Sequence, residues 1–261
     1  MLFGKYASKA SEADYPSLWD GLLLLLGPTI QSPSKSVYDF SRYLEATNSQ
    51  GTWSAIQGRP VITLGPATSS ISLAMVGNRW NFGAGDFTFI GDYYFTATAT
   101  YNTFFSFGNP ISVNNGGGIL LRRQAFFNDV GYIGGSAPAG SAQIGLNWSA
   151  SFPLNTNLSV CFARKAGVVS MYSNGVLVYT ATRAYNVSAA GNTLKIGNSI
   201  HSGSEPMTGS VGKFAIYNRC LLPGEILLYA KQPNAVFVPK SVRKIGSVLS
   251  ARRRRILTGA T

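Results

Sequence analysis

Residues 209–229 constrain the fold of this chain more than any other stretch. They read Gly-Ser-Val-Gly-Lys-Phe-Ala-Ile-Tyr-Asn-Arg-Cys-Leu-Leu-Pro-Gly-Glu-Ile-Leu-Leu-Tyr. The apolar residues of the first half predict a strand that ends in a tight turn at Asn218-Arg219. Pro223 suits the first turn of a helix, and Glu225 would lie near the positive end of that helix. The segment therefore predicts a strand, a turn and a short helix, in that order.

A second informative stretch lies upstream, in residues 158–177. Two apolar segments flank the dipeptide Asn174-Gly175 near its end. These two residue types tolerate the positive φ angles that a two-residue hairpin turn requires. We therefore predict a central β-hairpin with its turn at this dipeptide.

These segments together resemble laminin-G-like, concanavalin A-like domains. In that family Tyr-Asn-Arg-x-Leu-x-x-x-Glu-Ile follows the last core strand, as in residues 217–226 here. A Tyr-x-Asn-Gly turn and a Leu-x-Ile-Gly strand are matched by residues 172–175 and 194–197. The resemblance covers about residues 35–230. It implies an all-β, two-sheet antiparallel jelly-roll sandwich, a fold that is usually a recognition or structural module.

The composition agrees with an all-β chain. The 261 residues include 29 glycines and 12 prolines, and only 12% are charged, as is common in a single sandwich domain. Residues 87–101 alternate between an aromatic-rich face and a face of Thr and Asp, which predicts a strand. Ile90 and Tyr94 are apolar exceptions on the polar face, and we expect a second layer to cover part of that face.

Positive charge is concentrated at the C-terminal end. The chain has a net charge of +12, and eight of its Lys and Arg residues follow Glu225, after which there is no acidic residue. Pro233 and Pro239 mark the end of the strand pattern. We divide the chain into an N-terminal arm and lead-in (1–34), a jelly-roll domain (35–231) and a basic tail (232–261).

The basic tail allows three interpretations. A charge run can be a solvated end, or it can neutralise the phosphates of a nucleic acid. No aromatic residues for base stacking lie among the basic residues of 240–255, which argues against nucleic acid. Guanidinium groups also pair with carboxylates on an acidic protein surface. Our prediction is this third interpretation, with assembly docking through Arg243, Lys244, Arg252, Arg253, Arg254 and Arg255.

Catalytic and metal-binding patterns are missing from the sequence. Glycosidases of this fold pair carboxylates two residues apart on one strand, and only Glu12 and Asp14 have that spacing, in the arm. The sole histidine, His201, lies in a Ser-Gly-Ser context without a triad pattern. Relatives often hold Ca²⁺ with an acidic pair where Gly212-Lys213 stands here. We therefore predict that the protein is not an enzyme and that it binds neither a metal ion nor a cofactor.

Carbohydrate binding requires aromatic faces that stack on sugar rings and amides that bond to hydroxyl groups. Four residues in segments with a loop-like pattern are candidates: Trp148, Asn147, Tyr132 and Tyr185. In a chain so rich in Tyr and Phe, each aromatic could instead be a core or interface residue. We predict a possible glycan ligand at these positions.

The N-terminal segment suggests a biological context. Leu18-Trp-Asp-Gly-Leu22 resembles the opening of phage and environmental bacterial members of the superfamily, where Leu-Trp-x-Gly-Leu precedes the first strand. The resemblance implies a bacteriophage virion structural protein, a capsid decoration or fibre and spike subunit. Its partners would be major capsid or tail proteins and further copies of itself. The alternatives are a glycoside hydrolase of the same fold and a cellular carbohydrate-binding module.

Membrane insertion and disulfide formation are not expected. The run Leu22 to Leu26 has five leucines, whereas a spanning helix requires about 18 apolar residues, and no leader pattern precedes it. We expect a protein made in the host cytoplasm and located in the virion. Cys161 and Cys220 give neither a disulfide framework nor a metal spacing, so we predict free thiols.

Overall fold

Antiparallel β-strands dominate the structure, a computed structural model that describes residues 12, 14–27, 37–39, 44–49, 51–57, 59–65, 69–97, 101–108, 117–124, 129–134, 143–147, 153–182, 186–188, 193–200, 205–232 and 235–237. The strands are β1 Leu22–Gly27, β2 Val37–Asp39, β3 Leu44–Ser49, β4 Thr52–Ile56, β5 Arg59–Leu64, β6 Ser70–Ala74, β7 Asn81–Gly83, β8 Phe87–Phe95, β9 Tyr101–Phe107, β10 Ile119–Gln124, β11 Asp129–Gly134, β12 Gln143–Asn147, β13 Asn157–Lys165, β14 Val168–Ser173, β15 Val176–Thr182, β16 Val187–Ser188, β17 Thr193–Ile196 and β18 Gly209–Tyr217. Helix α1 covers Pro223–Lys231, and 3₁₀ turns lie at Pro16–Leu18 and Asn78–Trp80.

Most of the described strands form two packed antiparallel sheets, and β7 pairs with β16 apart from them. The first sheet has the order β2-β1-β18-β8-β13-β14-β15, and the second has the order β12-β11-β10-β9-β17-β6-β3. β2 also pairs with β3, which links the two sheets along one side. β5 lies beside the first half of β18, and β1 lies beside its second half. The arrangement confirms the predicted all-β jelly-roll sandwich.

The predicted strand, turn and helix at residues 209–229 are all present. β18 lies in the middle of the first sheet, between β8 and β1. After the strand ends at Tyr217, the Asn218 N–H donates to the Gly21 carbonyl at 2.9 Å. Helix α1 then begins at Pro223, and the Glu225 carboxylate accepts the Leu222 N–H at 2.7 Å. This bond satisfies one of the donors that a helix start leaves open.

The predicted hairpin turn is confirmed. Asn174 and Gly175 have φ angles of 50° and 84°, and Ser173 of β14 pairs with Val176 of β15 directly across the turn. Both angles lie in the left-handed region, as a type I′ turn requires. A Cβ atom on Gly175 would lie 2.8 Å from Leu227 Cδ1, so the turn also packs closely against α1.

The aromatic face of β8 points into the space between the sheets. Phe89 stacks on Phe105 of the second sheet, with ring centroids 5.0 Å apart and planes 7° from parallel. It meets Phe107 edge-on, also at 5.0 Å. Each buried side chain of this size contributes about 1.5 to 3 kcal/mol. The strand ends at Phe95 rather than at residue 101 as predicted, and the chain returns in β9.

A second apolar layer covers part of the outer face of the first sheet. α1 and residues 235–237 pack there on Ile90, Cys161 and Tyr217. This layer explains Ile90, the apolar exception on the polar face of β8. Cys161 is buried, which raises the pKa of its thiol, and both cysteines are free as predicted. Among the described residues, no helix is long and apolar enough to cross a membrane.

The sandwich extends beyond the predicted domain of residues 35–231. β1 lies inside the segment predicted as an arm and is a full member of the first sheet. Its leucine run faces the inter-sheet core through Leu24 and Leu26 and the outer layer through Leu25. A continuous apolar run of this kind is the pattern of a strand buried on both faces. On the C-terminal side, Ala235 and Val236 are also buried.

Arg219 joins the N-terminal segment to the helix. Its guanidinium group forms a two-point contact with Glu225, at 2.8 and 2.9 Å, and donates to the Asp20 carbonyl at 2.9 Å and to the Ser17 carbonyl. The Arg and Glu of the family motif therefore hold three segments together in this chain. Such bidentate pairs are the strongest type of charged hydrogen bond.

Candidate functional site

The predicted carbohydrate residues do not form a loop cluster in the described part of the chain. Tyr132 lies inside β11, and Asn147 is the last residue of β12, so both belong to strands and the loop interpretation was wrong for them. Each strand is fixed by pairing, because β11 bonds to β10 on one side and β12 on the other. Trp148 and Tyr185 lie outside the described residues.

The predicted docking residues also lie outside the described part of the chain. These are Arg243, Lys244, Arg252, Arg253, Arg254 and Arg255. Their role stays a prediction from the sequence.

The outer face of the first sheet changes character along three neighbouring strands, β18, β8 and β13. One row across these strands is apolar and consists of Ala215, Ile90 and Cys161. The next row on the same face, toward the C-terminal end of β8, is polar and consists of Lys213, Asp92 and Ser159. Side chains two apart on a strand share a face, so three strands switch from apolar to polar at the same level.

Lys213 and Asp92 form an ion pair in which the lysine is buried and the carboxylate keeps 14% of its side chain exposed. Lys213 Nζ lies 3.6 Å from Asp92 Oδ2 and donates to the Tyr229 carbonyl of α1 at 2.7 Å. The ammonium group also lies 3.5 Å from the centre of the Tyr229 ring, within cation–π range. Burial raises the pKa of Asp92, although Lys213, the Ser159 hydroxyl and Arg59 each act to lower it.

The polar row opens into a pocket of about 260 Å³ at the C-terminal end of α1. β5, β8, β13, the β14–β15 turn and α1 all contribute to its wall. The lining residues are Arg59, Asp92, Asn157, Leu158, Ser159, Asn174, Ala230 and Lys231. Six of these described lining residues are polar or charged and none is aromatic, so a ligand would be held mainly by polar and ionic contacts.

Hydrogen bonds fix the wall of the pocket. The Asn174 side-chain oxygen accepts the Ser159 N–H at 2.9 Å, and the Asn174 N–H donates to the Ser159 carbonyl at 2.7 Å. The Asn157 amide donates to Gln57 Oε1 at 2.6 Å. Because the hairpin turn and the strand hold each other, the amides keep a defined orientation before any ligand arrives.

The pocket can form hydrogen bonds, but it lacks the usual catalytic arrangement. Asp92 is the only carboxylate among the described lining residues, whereas hydrolysis of a glycosidic bond requires two. The described residues also contain no group of three or more His, Cys, Asp or Glu side chains that could hold a metal ion. The absence of a metal stays a prediction.

No local sequence pattern predicts this pocket, although one signal for it is present. Asp92 and Ile90 share a face of β8, and a charged and an apolar residue on one face indicate that the face is divided. Arg59, Asn157 and Lys231 join them only through the pairing of strands far apart in the chain. No local pattern connects these residues.

The chain belongs to the concanavalin A-like lectin/glucanases superfamily, whose family model matches residues 66–227. The match confirms the resemblance on which the fold prediction rested. None of the curated proteins matches the chain.

Solved structures with the same fold include carbohydrate-related proteins. Domain 4 of the extracellular arabinanase AbnA from Geobacillus stearothermophilus, in complex with arabinotriose, has a TM-score of 0.54 at 17% identity, over 79% of this chain and 86% of that one. The binding domain of Paraclostridial Mosquitocidal Protein 1 has a TM-score of 0.63 at 15% identity, over 82% of this chain and 52% of that one. The botulinum neurotoxin serotype G binding domain has a TM-score of 0.61 at 15% identity, over 81% and 51%. The chain therefore spans about half the length of these toxin domains.

Proposed function

We propose that the protein is a non-catalytic glycan-recognition module and that the pocket at the end of α1 is its binding site. The polar row on the outer face of the first sheet carries this proposal. Around it, Asn157 and Asn174 present amides that can donate to and accept from sugar hydroxyls. At about 260 Å³, the pocket is smaller than the roughly 300–1,000 Å³ of drug-sized sites and fits a single sugar ring.

The solved neighbours support a recognition role. One is a domain of an arabinanase in complex with arabinotriose, and two are binding domains of toxins. At 15–17% identity they share the fold alone with this chain. The choice of glycan over another small polar ligand therefore depends on the pocket itself, with its fixed amides and hydroxyl group.

Binding is tested best by a variant that fills the pocket. Ala230→Phe places a ring in it from the exposed end of α1, and Ala74→Phe adds the same ring at an exposed position on the second sheet. On a glycan array we expect Ala230→Phe to lower the affinity for the bound glycans by roughly tenfold or more, and Ala74→Phe to leave that affinity unchanged. Absence of glycan binding, or binding that Ala230→Phe leaves intact, would contradict the proposal.

The absence of catalysis is part of the proposal. The single lining carboxylate, Asp92, is engaged with Lys213 and Ser159, which leaves no acid and base pair around a bound sugar. The alternative, a glycoside hydrolase of this fold, predicts release of reducing sugar from laminarin, agarose or capsular polysaccharide. We expect none, and release that Asp92→Asn abolishes would establish the hydrolase instead.

We further propose that the module acts on a bacteriophage particle, as a capsid decoration or as a fibre or spike subunit made in the host cytoplasm. The Leu-Trp-x-Gly-Leu motif supports this placement, because its residues perform the expected lead-in to the first strand. Leu18 is buried against Ala235, Gly21 has a φ angle of 67° beside Asn218, and Leu22 begins β1. The basic tail would supply the contact to capsid or tail proteins.

The virion proposal predicts where the protein is found. Particles purified by density gradient from the source lysate should contain peptides of this chain by mass spectrometry. Their amount should stay constant relative to the major capsid protein across the particle peak. Recovery only in the soluble cell fraction would support a cellular carbohydrate-binding module.

A further inference from the structure

The ionic groups of the pocket are unequal in number. Three cationic side chains lie in or directly behind it, those of Arg59, Lys231 and Lys213, against the single carboxylate of Asp92. The Asp92 charge is already compensated, because Lys213 lies 3.6 Å away and Ser159 bonds to the carboxylate. The pocket therefore retains a positive charge.

Arg59 and Lys231 supply that charge. Four ion pairs occur among the described residues, and none involves either side chain. The carbonyl end of a helix carries a partial negative charge of about half a unit, which opposes them in part. Lys213 already donates to one of these carbonyl groups, that of Tyr229. Two full positive charges thus exceed what the helix end can offset.

The polar lining also limits how a ligand can be held. A sugar ring usually gains much of its affinity by stacking on an aromatic face, and the described lining has none. Hydrogen bonds to an ionised group are roughly twice as strong as neutral ones. In a pocket that holds one ring, an anionic substituent is the group that Arg59 and Lys231 would bind most strongly.

We infer that the pocket selects an anionic sugar residue, a single ring that bears a carboxylate or a sulfate. The acidic group binds between Arg59 and Lys231, and the ring hydroxyls bond to Asn157 and Asn174. The inference rests on the proposed glycan-binding function and goes further, because it names the chemical class of the ligand.

The experiment compares each acidic ligand with a neutral counterpart of the same sugar framework. Three pairs serve: galacturonate trisaccharide and its methyl ester, sialyllactose and its methyl ester, and sulfated and unsulfated galactose. Binding to the full chain is measured by calorimetry at about 0.15 M salt, which screens diffuse attraction to a basic protein. For at least one pair we expect the acidic form to bind roughly tenfold or more tightly than the neutral one.

Matched variants separate the pocket from general basicity. Arg59→Gln with Lys231→Gln removes two charges in the pocket, and Lys165→Gln with Lys195→Gln removes two charges elsewhere. Lys165 is exposed at the opposite end of β13 from Asn157, and Lys195 lies on the second sheet. We expect the first double variant to abolish the preference for the acid and the second to keep it.

Three outcomes would overturn the inference. Equal binding of acidic and neutral forms, lost in Ala230→Phe, would leave the proposed function in place and refute only the ligand class. A preference that persists without Arg59 and Lys231 would show attraction by general surface charge. Failure of all six probes and of the glycan array would refute the proposed function as well.

Discussion

The two ends of the outer face of the first sheet differ, although the same strands build both. At one end, Ile90 and Tyr217 pack under α1 in an apolar layer. The Tyr217 hydroxyl group in this layer donates a hydrogen bond to the Leu18 carbonyl. At the other end, the neighbouring row of side chains is polar. It contains the ion pair of Lys213 and Asp92 and opens into the pocket. The alternation of side chains is the same at both ends.

The difference shows that a binding pocket can form on the outer face of a sandwich where a covering helix ends. A helix of nine residues covers about 13 Å, so α1 protects only part of the strands beneath it. Where the helix ends, its carbonyl groups need donors, and Lys213 supplies one to Tyr229. The polar row thus completes the helix end and lines the pocket that the helix leaves uncovered.

The largest effect is expected from Lys213→Met, which makes the polar end chemically similar to the apolar one. The substitution leaves the largely buried Asp92 carboxylate without its nearest cation, and breaking a buried pair costs about 3 to 5 kcal/mol. Urea unfolding followed by tryptophan fluorescence measures the loss.

The control for this variant replaces both partners. Asp92→Asn with Lys213→Met removes the two charges together and should recover a large part of the lost stability. A single variant as stable as the wild type would mean that the pair is unimportant and that the two ends differ only in shape.

Removing the cover from the apolar end should have the next largest effect. Truncation after Phe237 keeps every described residue, whereas truncation after Gln232 removes Val236, which is buried against the outer layer. We expect the shorter protein to be less stable by about 2 to 4 kcal/mol, from the lost burial of Val236 and Phe237. Equal melting temperatures for the two truncations would contradict the packing of this segment.

Gly175→Val alters the hairpin turn that forms one wall of the pocket at the polar end. A β-branched residue at a φ angle of 84° is strained by about 1 to 3 kcal/mol, and its Cβ would meet Leu227 of α1. Because Asn174 of the same turn lines the pocket, glycan binding should weaken along with stability. Gly224→Ala is the control, since no atom lies within 4 Å of a Cβ at that position and its φ is ordinary. Unchanged melting of Gly175→Val would contradict the assigned turn.

Local patterns predicted the fold well because its key elements are local. The turn at Asn174-Gly175 and the order of β18, turn and α1 each depend on residues adjacent in sequence. The leucine run of β1 was assigned to an arm, since a strand buried on both faces lacks the alternation that identifies a strand.

The pocket could not be predicted in the same way. It unites Arg59, Asp92, Asn157 and Lys231, and only the pairing of distant strands and the position of α1 bring them together. The candidates Tyr132 and Asn147 were chosen for residue type, and their loop context was wrong because strand pairing depends on partners elsewhere in the chain.

The smallest expected effect concerns pH, and it has opposite signs at the two ends. At the apolar end, burial is the largest single influence on the pKa of Glu225 and raises it, but the hydrogen bonds from Arg219 and the Leu222 N–H and the charge of Arg219 together outweigh burial, so the pKa lies below its usual value. Its contribution to stability is therefore complete above the unfolded pKa of about 4.3 and is lost as the pH falls through the lowered folded pKa. At the polar end, burial raises the pKa of Asp92, so the folded state binds a proton first and gains stability as the pH falls toward about 3.9.

Urea unfolding at a series of pH values between about 7 and 3 separates the two groups, because their effects fall on opposite sides of about pH 4. As the pH falls toward about 4, the wild type should gain stability from Asp92, and Asp92→Asn should not show this gain. As the pH falls further, the wild type should lose the stability that Glu225 contributes, and Glu225→Gln should not show this loss. Each change should amount to about 1 kcal/mol or less, because burial and the neighbouring cation act on the pKa of each carboxylate in opposite directions. Parallel pH profiles for the wild type and both variants would show that neither carboxylate distinguishes the two ends, and the contrast would then depend on packing alone.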